Sequence, residues 1–155
     1  MRRGILLAAG PCAAVLLAAP HGALAQQKEV IQAPGTPAGL PFSSAVRVGE
    51  MIYLSGQIGV RPGTVKLVPG GIAEETRQTL ENIRAVLEHA GSSLERVVKC
   101  TVFLADIADW AAMNEVYRGF FPADPPARSA VAGSGLALGA RVEIECIALA
   151  GDGGS

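Results

Sequence analysis

From position 142 to 149 the chain reads VEIECIAL, placing Val142, Ile144, Cys146 and Ala148 on one face of a two-residue period and Glu143 and Glu145 on the other. That alternation predicts a strand with one side in a core. Further strand-like runs are a short one at 29–32, SSAVRV at 43–48, MIYLSGQI at 51–58, RVVKCTVFL at 96–104 and PPARSAV at 125–131. Only Gly49 and Glu50 separate the second and third runs, and glycine at the first central position of a two-residue loop predicts a type II′ hairpin. From 72 to 90 the period changes: Ile72, Leu80, Ile83, Val86, Leu87 and Ala90 recur at helical spacing, and Gly91 is a natural stop. A second helix, capped by Asp106 or Asp109, carries Trp110, Met113, Val116, Tyr117 and Phe120 and ends before Pro122. Its aromatic stripe reads as core. The segments APGTPAGLP and RPGTVKLVPGG have the prolines and glycines of irregular chain.

The predicted order is therefore β-β-β-α-β-α-β-β, an α+β fold with a six-stranded, mostly antiparallel sheet and two helices on one face. One helical layer leaves the other face uncovered. That face carries Lys99, Thr101, Glu143 and Glu145 beside Ile147 and Leu149, too polar for a core and too apolar to be simply solvated, so oligomerisation is expected to cover it.

Residues 1–25 have the pattern of an export signal: Arg2 and Arg3, an apolar run, then Ala23-Leu24-Ala25 as the cleavage triplet. Gly10, Pro11, Pro20 and His21 break the apolar run, which is too short for a stable membrane anchor, and Pro11 before Cys12 is a poor lipoprotein signal. The mature chain is expected to begin at Gln26, in the periplasm or secreted, with residues 26–155 forming one domain. A net charge of −1 and the lack of any lysine and arginine run argue against nucleic acid or an acidic membrane surface as partner. No His, Cys and acidic cluster has metal-ligand spacing, and His89 falls at a helix end. Cys100 and Cys146 lie in apolar strand patterns and admit two readings: free thiols packed as small hydrophobes, or a disulfide if their strands are neighbours in an oxidising compartment.

The candidate chemistry lies in Arg128 and Glu143. The prolines before Arg128 hold it on stiff chain, and the two residues sit on strand segments that the sequence makes neighbours, joined by a glycine-rich loop. A guanidinium fork matches a carboxylate, and a carboxylate can act as base toward water, so the pair suits a small carboxylate-bearing substrate attacked by water. Taken alone, two such residues on adjacent strands are more often a solvated cross-strand ion pair.

Four motifs in order, YLSGQIGV, NEVYRGFF, PPARSAV and VEIECIAL, give the chain from about Val30 to about Leu149 a specific resemblance to the RidA family of small trimeric imine deaminases. The resemblance implies a chorismate-mutase-like fold, with three chains packing their sheets into a central barrel and a cleft at each subunit junction. It implies that Arg128 clamps the substrate carboxylate and Glu143 holds or activates water, while Ser55, Gly56 and Asn114 complete the site. Two positions depart from the family pattern: Phe42 replaces a tyrosine, and Ala130 replaces a cysteine. Phe42 keeps a stacking wall and loses a hydroxyl; Ala130 keeps its backbone N–H. The implied reaction converts 2-imino or enamino acids such as 2-iminopropanoate and 2-iminobutanoate to 2-keto acids and ammonia, with no metal or organic cofactor. A non-catalytic, ligand-binding or chaperone-like exported trimer and a deaminase for a different enamine or imine remain as alternatives, the second suggested by Phe42.

Overall fold

The computed structural model describes residues 27–151, so the expected export signal at 1–25 and its expected cleavage site lie outside the described residues. In chain order the elements are β1 (Lys28–Ile31), β2 (Ala45–Val48), β3 (Met51–Leu54), β4 (Gln57–Ile58), α1 (Gly71–His89), β5 (Val97–Leu104), α2 (Trp110–Phe120), β6 (Ala127–Ala132) and β7 (Val142–Leu149). They form one sheet in the order β1-β2-β3-β7-β5-β6, in which β4 continues β3 along β7. Every pairing is antiparallel except β5 with β6. The last strand therefore lies inside the sheet, between β3 and β5.

The alternation seen in the sequence sets the faces. Cys100, Val102 and Leu104 of β5 and Val142, Ile144, Cys146 and Ala148 of β7 are buried, against Leu80, Ile83 and Leu87 of α1 and Met113 and Tyr117 of α2. Fully burying each large aliphatic side chain stabilises by roughly 1.5–3 kcal/mol, so Leu80→Ala or Leu87→Ala would cost about 2–5 kcal/mol. On the opposite face Glu145, Leu149, Tyr53 and Val131 are exposed, and the Lys99 ammonium donates to Ser129 Oγ at 2.8 Å. This half-apolar surface has the mixed character expected of it.

The predicted hairpin forms, with Val48 opposite Met51 and a positive φ of 59° at Gly49 alone, as a type II′ turn requires. The run 51–58 departs from expectation by splitting in two, which raises the strand count from six to seven. Tyr53 faces Ile147 and Gln57 faces Ile144, so the first strand advances four residues while β7 takes three. The extra residue is a bulge centred on Ser55 and Gly56. After α1, Gly91 N–H donates to the Glu88 carbonyl and Ser92 N–H to that of Leu87, the paired bonds of a Schellman ending.

Asn82 on α1 donates to the carbonyls of Ile58 and Val60 at 3.1 and 3.0 Å and so fixes the helix to the end of β4. Asp106 caps a 3-10 turn at Ile107–Asp109 through Ala108 N–H at 2.9 Å, leaving Asp109 free for another role. The Asp109 carboxylate accepts two bonds from the Arg141 guanidinium, at 2.6 and 2.9 Å, while buried Glu75 accepts from Arg141 N–H at 2.8 Å. Both helices thus anchor the residue that precedes β7. The open choice for the two cysteines also resolves: Cys100 and Cys146 oppose one another on β5 and β7, both buried, and are joined in a disulfide.

Candidate active site

The bulge and β7 build one half of the candidate site. Glu143 pairs with Ile58 on one side and Phe103 on the other, so its side chain stands on the face away from the helices. Its carboxyl group lies over Gly56: a Cβ added there would be 2.9 Å from Cδ and 3.0 Å from Cγ of Glu143. Gly56 has no positive φ, so the glycine supplies space and not an unusual conformation. Partial burial raises the Glu143 pKa above the usual carboxylate range, and the neighbouring Glu145 charge adds to the effect. A carboxylate tuned upward in this way is a better proton acceptor at neutral pH.

Ser55 is tied into the bulge. Its N–H donates to the Ser44 carbonyl at 3.1 Å and its Oγ to the Ser43 carbonyl at 2.7 Å, while the Gln57 amide donates to the Ser55 carbonyl at 3.1 Å. Phe42, half exposed, shares with Gly56, Gln57 and Ser44 the wall of a cavity of about 400 Å³. Phe42, Ser55, Gly56 and Glu143 are therefore one local group.

Arg128 belongs to a second group. It opposes Cys100 in the parallel β5–β6 pairing, which directs it to the helix side. There its guanidinium carbon lies 4.6 Å from the centre of the Tyr117 ring and Nη1 lies 4.0 Å from Met113 Sδ. Ala130, opposite Val102, is on the same face two residues further along the edge strand. Asn114 is buried on α2 between Met113 and Tyr117.

Within one chain the two groups do not meet. β5 lies between β6 and β7, and Arg128 and Glu143 project from opposite faces, which corrects the expectation of neighbouring strands. The reason is the 133–141 loop, which carries the chain past β5 before it re-enters the sheet. The cross-strand ion pair is thereby removed, and among the described residues neither Arg128 nor Glu143 forms an ion pair. A site that uses both must draw them from two copies.

Sequence reasoning assigned Met113 and Tyr117 to the core and missed their contact with Arg128. Their four-residue spacing was the available signal, since it puts both side chains on the same patch of helix. Trp110, assigned to the same stripe, is instead 46% exposed at the helix start. Among the described residues no three His, Cys, Asp or Glu side chains converge as a metal site would require.

A two-helix α+β domain with a carboxylate seated on a glycine on one sheet face, and a ring-stacked arginine on the other face at the edge strand, is the combination to compare with known proteins. The family model described as Endoribonuclease L-PSP matches residues 30–150, and the chain belongs to this family, the RidA family. It is 45% identical to the 2-iminobutanoate/2-iminopropanoate deaminase of Mus musculus over 125 residues, covering 80% of this chain and 93% of the mouse protein. It is 50% identical over 113 residues to the mitochondrial protein mmf2 of Schizosaccharomyces pombe, covering 71% and 88% of the two chains. Among solved structures it is similar to yeast YEO7, with a TM-score of 0.76, 44% identity and coverage of 80% of this chain and 99% of that one. It is also similar to E. coli TdcF with bound serine, with a TM-score of 0.71, 38% identity and coverage of 78% and 98%.

Proposed function

We infer that this protein hydrolyses small 2-imino and enamino acids, of the 2-iminopropanoate and 2-iminobutanoate kind, to 2-keto acids and ammonia. The observation that carries this reading is the 45% identity to the mouse deaminase across nearly the whole domain. The family model's description speaks of RNA cleavage, but a net charge of −1 without a basic run offers no footprint for a polyanion.

Arg128 of one copy binds the substrate carboxylate through its planar fork, and Glu143 of an adjacent copy holds a water against the imine carbon. As the water oxygen bonds to carbon, Glu143 takes a proton from it and the imine nitrogen gains one, giving a carbinolamine. The C–N bond then breaks, the nitrogen leaves as ammonia, and the hydroxyl loses its proton as the new carbonyl forms. Acid-base help of this kind contributes roughly a hundredfold or more in rate. That E. coli TdcF holds serine, a molecule with a carboxylate on a carbon bearing nitrogen, fits such a site.

The working form is a homotrimer with shared sites, a reading supported by the half-apolar open face and by the division of the candidate residues between two faces of the chain. It acts outside the cytoplasm, after removal of residues 1–25. The disulfide between Cys100 and Cys146 suits an oxidising compartment. The test of the activity is ammonia and 2-keto acid release from freshly generated 2-iminopropanoate. Release well above the spontaneous rate is expected; release at the spontaneous rate would leave a non-catalytic binding protein.

A further inference from the structure

Among the described residues no carboxylate pairs with the Arg128 guanidinium. A carboxylate partner inside the protein would occupy the in-plane N–H groups that a substrate carboxylate needs. Here the neighbours are a ring face, 4.6 Å from the guanidinium carbon, and a thioether sulfur, 4.0 Å from Nη1. A ring face attracts the cation from above its plane, and apart from the long, weak bond that Nη1 donates to Met113 Sδ the in-plane N–H groups stay available to a carboxylate. The ring itself is fixed. Tyr117 is 5% exposed, and Phe121 packs against it with centroids 4.7 Å apart and planes tilted by 37°. Its hydroxyl is buried without a hydrogen-bond partner among the described residues, and burial pushes its pKa up to about 12, so at neutral pH the ring is an uncharged phenol.

We propose that Tyr117 is a positioning residue for Arg128, its ring face fixing the guanidinium plane so that the open fork meets the substrate carboxylate. This rests on the reading of Arg128 as the carboxylate clamp. Only the ring matters, so Tyr117→Phe keeps the wild-type KM, and it loses a buried hydroxyl that had no partner. Tyr117→Leu removes the ring face and raises KM for 2-iminopropanoate roughly three- to thirtyfold with little change in kcat. The same change has no effect on hydrolysis of an imine that lacks a carboxylate, a selectivity that general damage to the core would not produce.

The experiment measures KM and kcat for wild type, Tyr117→Phe, Tyr117→Leu and Arg128→Ala with both imines. Because the leucine variant removes a core ring, a second series places phenylalanines with one, two and three ring fluorines at position 117, which keeps the shape and weakens the ring face. KM is expected to rise with fluorine count. A flat fluorine series, a Tyr117→Phe protein as impaired as Tyr117→Leu, or equal losses on the two imines would overturn the proposal. Should Arg128→Ala raise KM while every Tyr117 variant is silent, this inference alone fails. Should Arg128→Ala itself keep the wild-type KM, the clamp fails and the inference with it.

Discussion

Glu143 occupies the space that a side chain at position 56 would need: its Cδ and Cγ lie 2.9 and 3.0 Å from where a Gly56 Cβ would sit. The colliding atoms are the end of a flexible side chain, so Gly56→Ala is expected to turn the carboxylate away and leave the backbone in place. The loss of stability should be small, about 1 kcal/mol. A catalytic group displaced by about an ångström can cost a hundredfold in rate, and kcat should fall by about that much with KM little changed. Thermal unfolding together with steady-state kinetics checks both parts, and a Gly56→Ala enzyme with wild-type kcat would detach Glu143 from the chemistry.

The raised pKa of Glu143 predicts a pH dependence with a definite sign. The base works when ionised, so kcat should fall on the acid side with a midpoint above the ordinary glutamate value of 4.5. For stability the sign is opposite to that of a paired carboxylate. A folded-state value above the unfolded one means that the associated stability is complete below about 4.5 and is lost as pH rises through the folded value. Glu143→Gln should therefore unfold at the same or a higher temperature than wild type at pH 7, with that advantage gone below pH ~4. Its kcat should be roughly a hundredfold lower. An acid limb at or below 4.5, or a Gln variant less stable at neutral pH, would contradict this account.

The strand faces, the hairpin turn and the end of α1 were legible because each depends on local rules: a period of two, a glycine between strands, a glycine after the last helical turn. The sequence of 51–58 did not reveal its break, since SGQ carries no breaker stronger than one glycine and the bulge exists to match β7, which is nearly ninety residues away. The same non-local pairing hid the separation of Arg128 from Glu143. PPARSAV and VEIECIAL are close in sequence, and nothing in the loop between them says that β5 will lie between them in the sheet. Residue types at Arg128 and Glu143 were informative; which face each would use depended on register, set by partners elsewhere in the chain. The disulfide was undecidable for the same reason, because it needs Cys100 and Cys146 to be directly opposed.

That disulfide joins residues 46 positions apart at the centre of the sheet, with both cysteines buried. Closing such a loop restricts the unfolded chain, and replacing both cysteines by alanine is expected to lower stability by about 2–4 kcal/mol. Reductant should have little effect on the folded protein and a large one once denaturant exposes the sulfurs. Thiol counting in denaturant, before and after reduction, tests the bond in protein recovered from an oxidising compartment. Two free thiols before reduction would show that the cysteines are only packed together.

The proposed division of the site between chains makes a prediction that single variants cannot. Arg128→Ala should lose roughly thirtyfold to several-thousandfold in kcat/KM, and Arg128→Lys almost as much, because a point charge cannot replace the fork. Glu143→Gln should lose activity for a different reason, because the proposed base toward water is gone. In a ring of three, where each site takes Arg128 from one copy and Glu143 from the next, a mixed trimer of Arg128→Ala and Glu143→Gln chains contains one site with both native residues. Unfolding and refolding an equal mixture should therefore restore about a quarter of the wild-type activity, since each native residue is present at a given site half the time. Light scattering must give three times the mature chain mass for the refolded material. Activity no higher than the average of the two variants would mean that Arg128 and Glu143 of different copies never share a site, and the two faces of the sheet would need separate explanations.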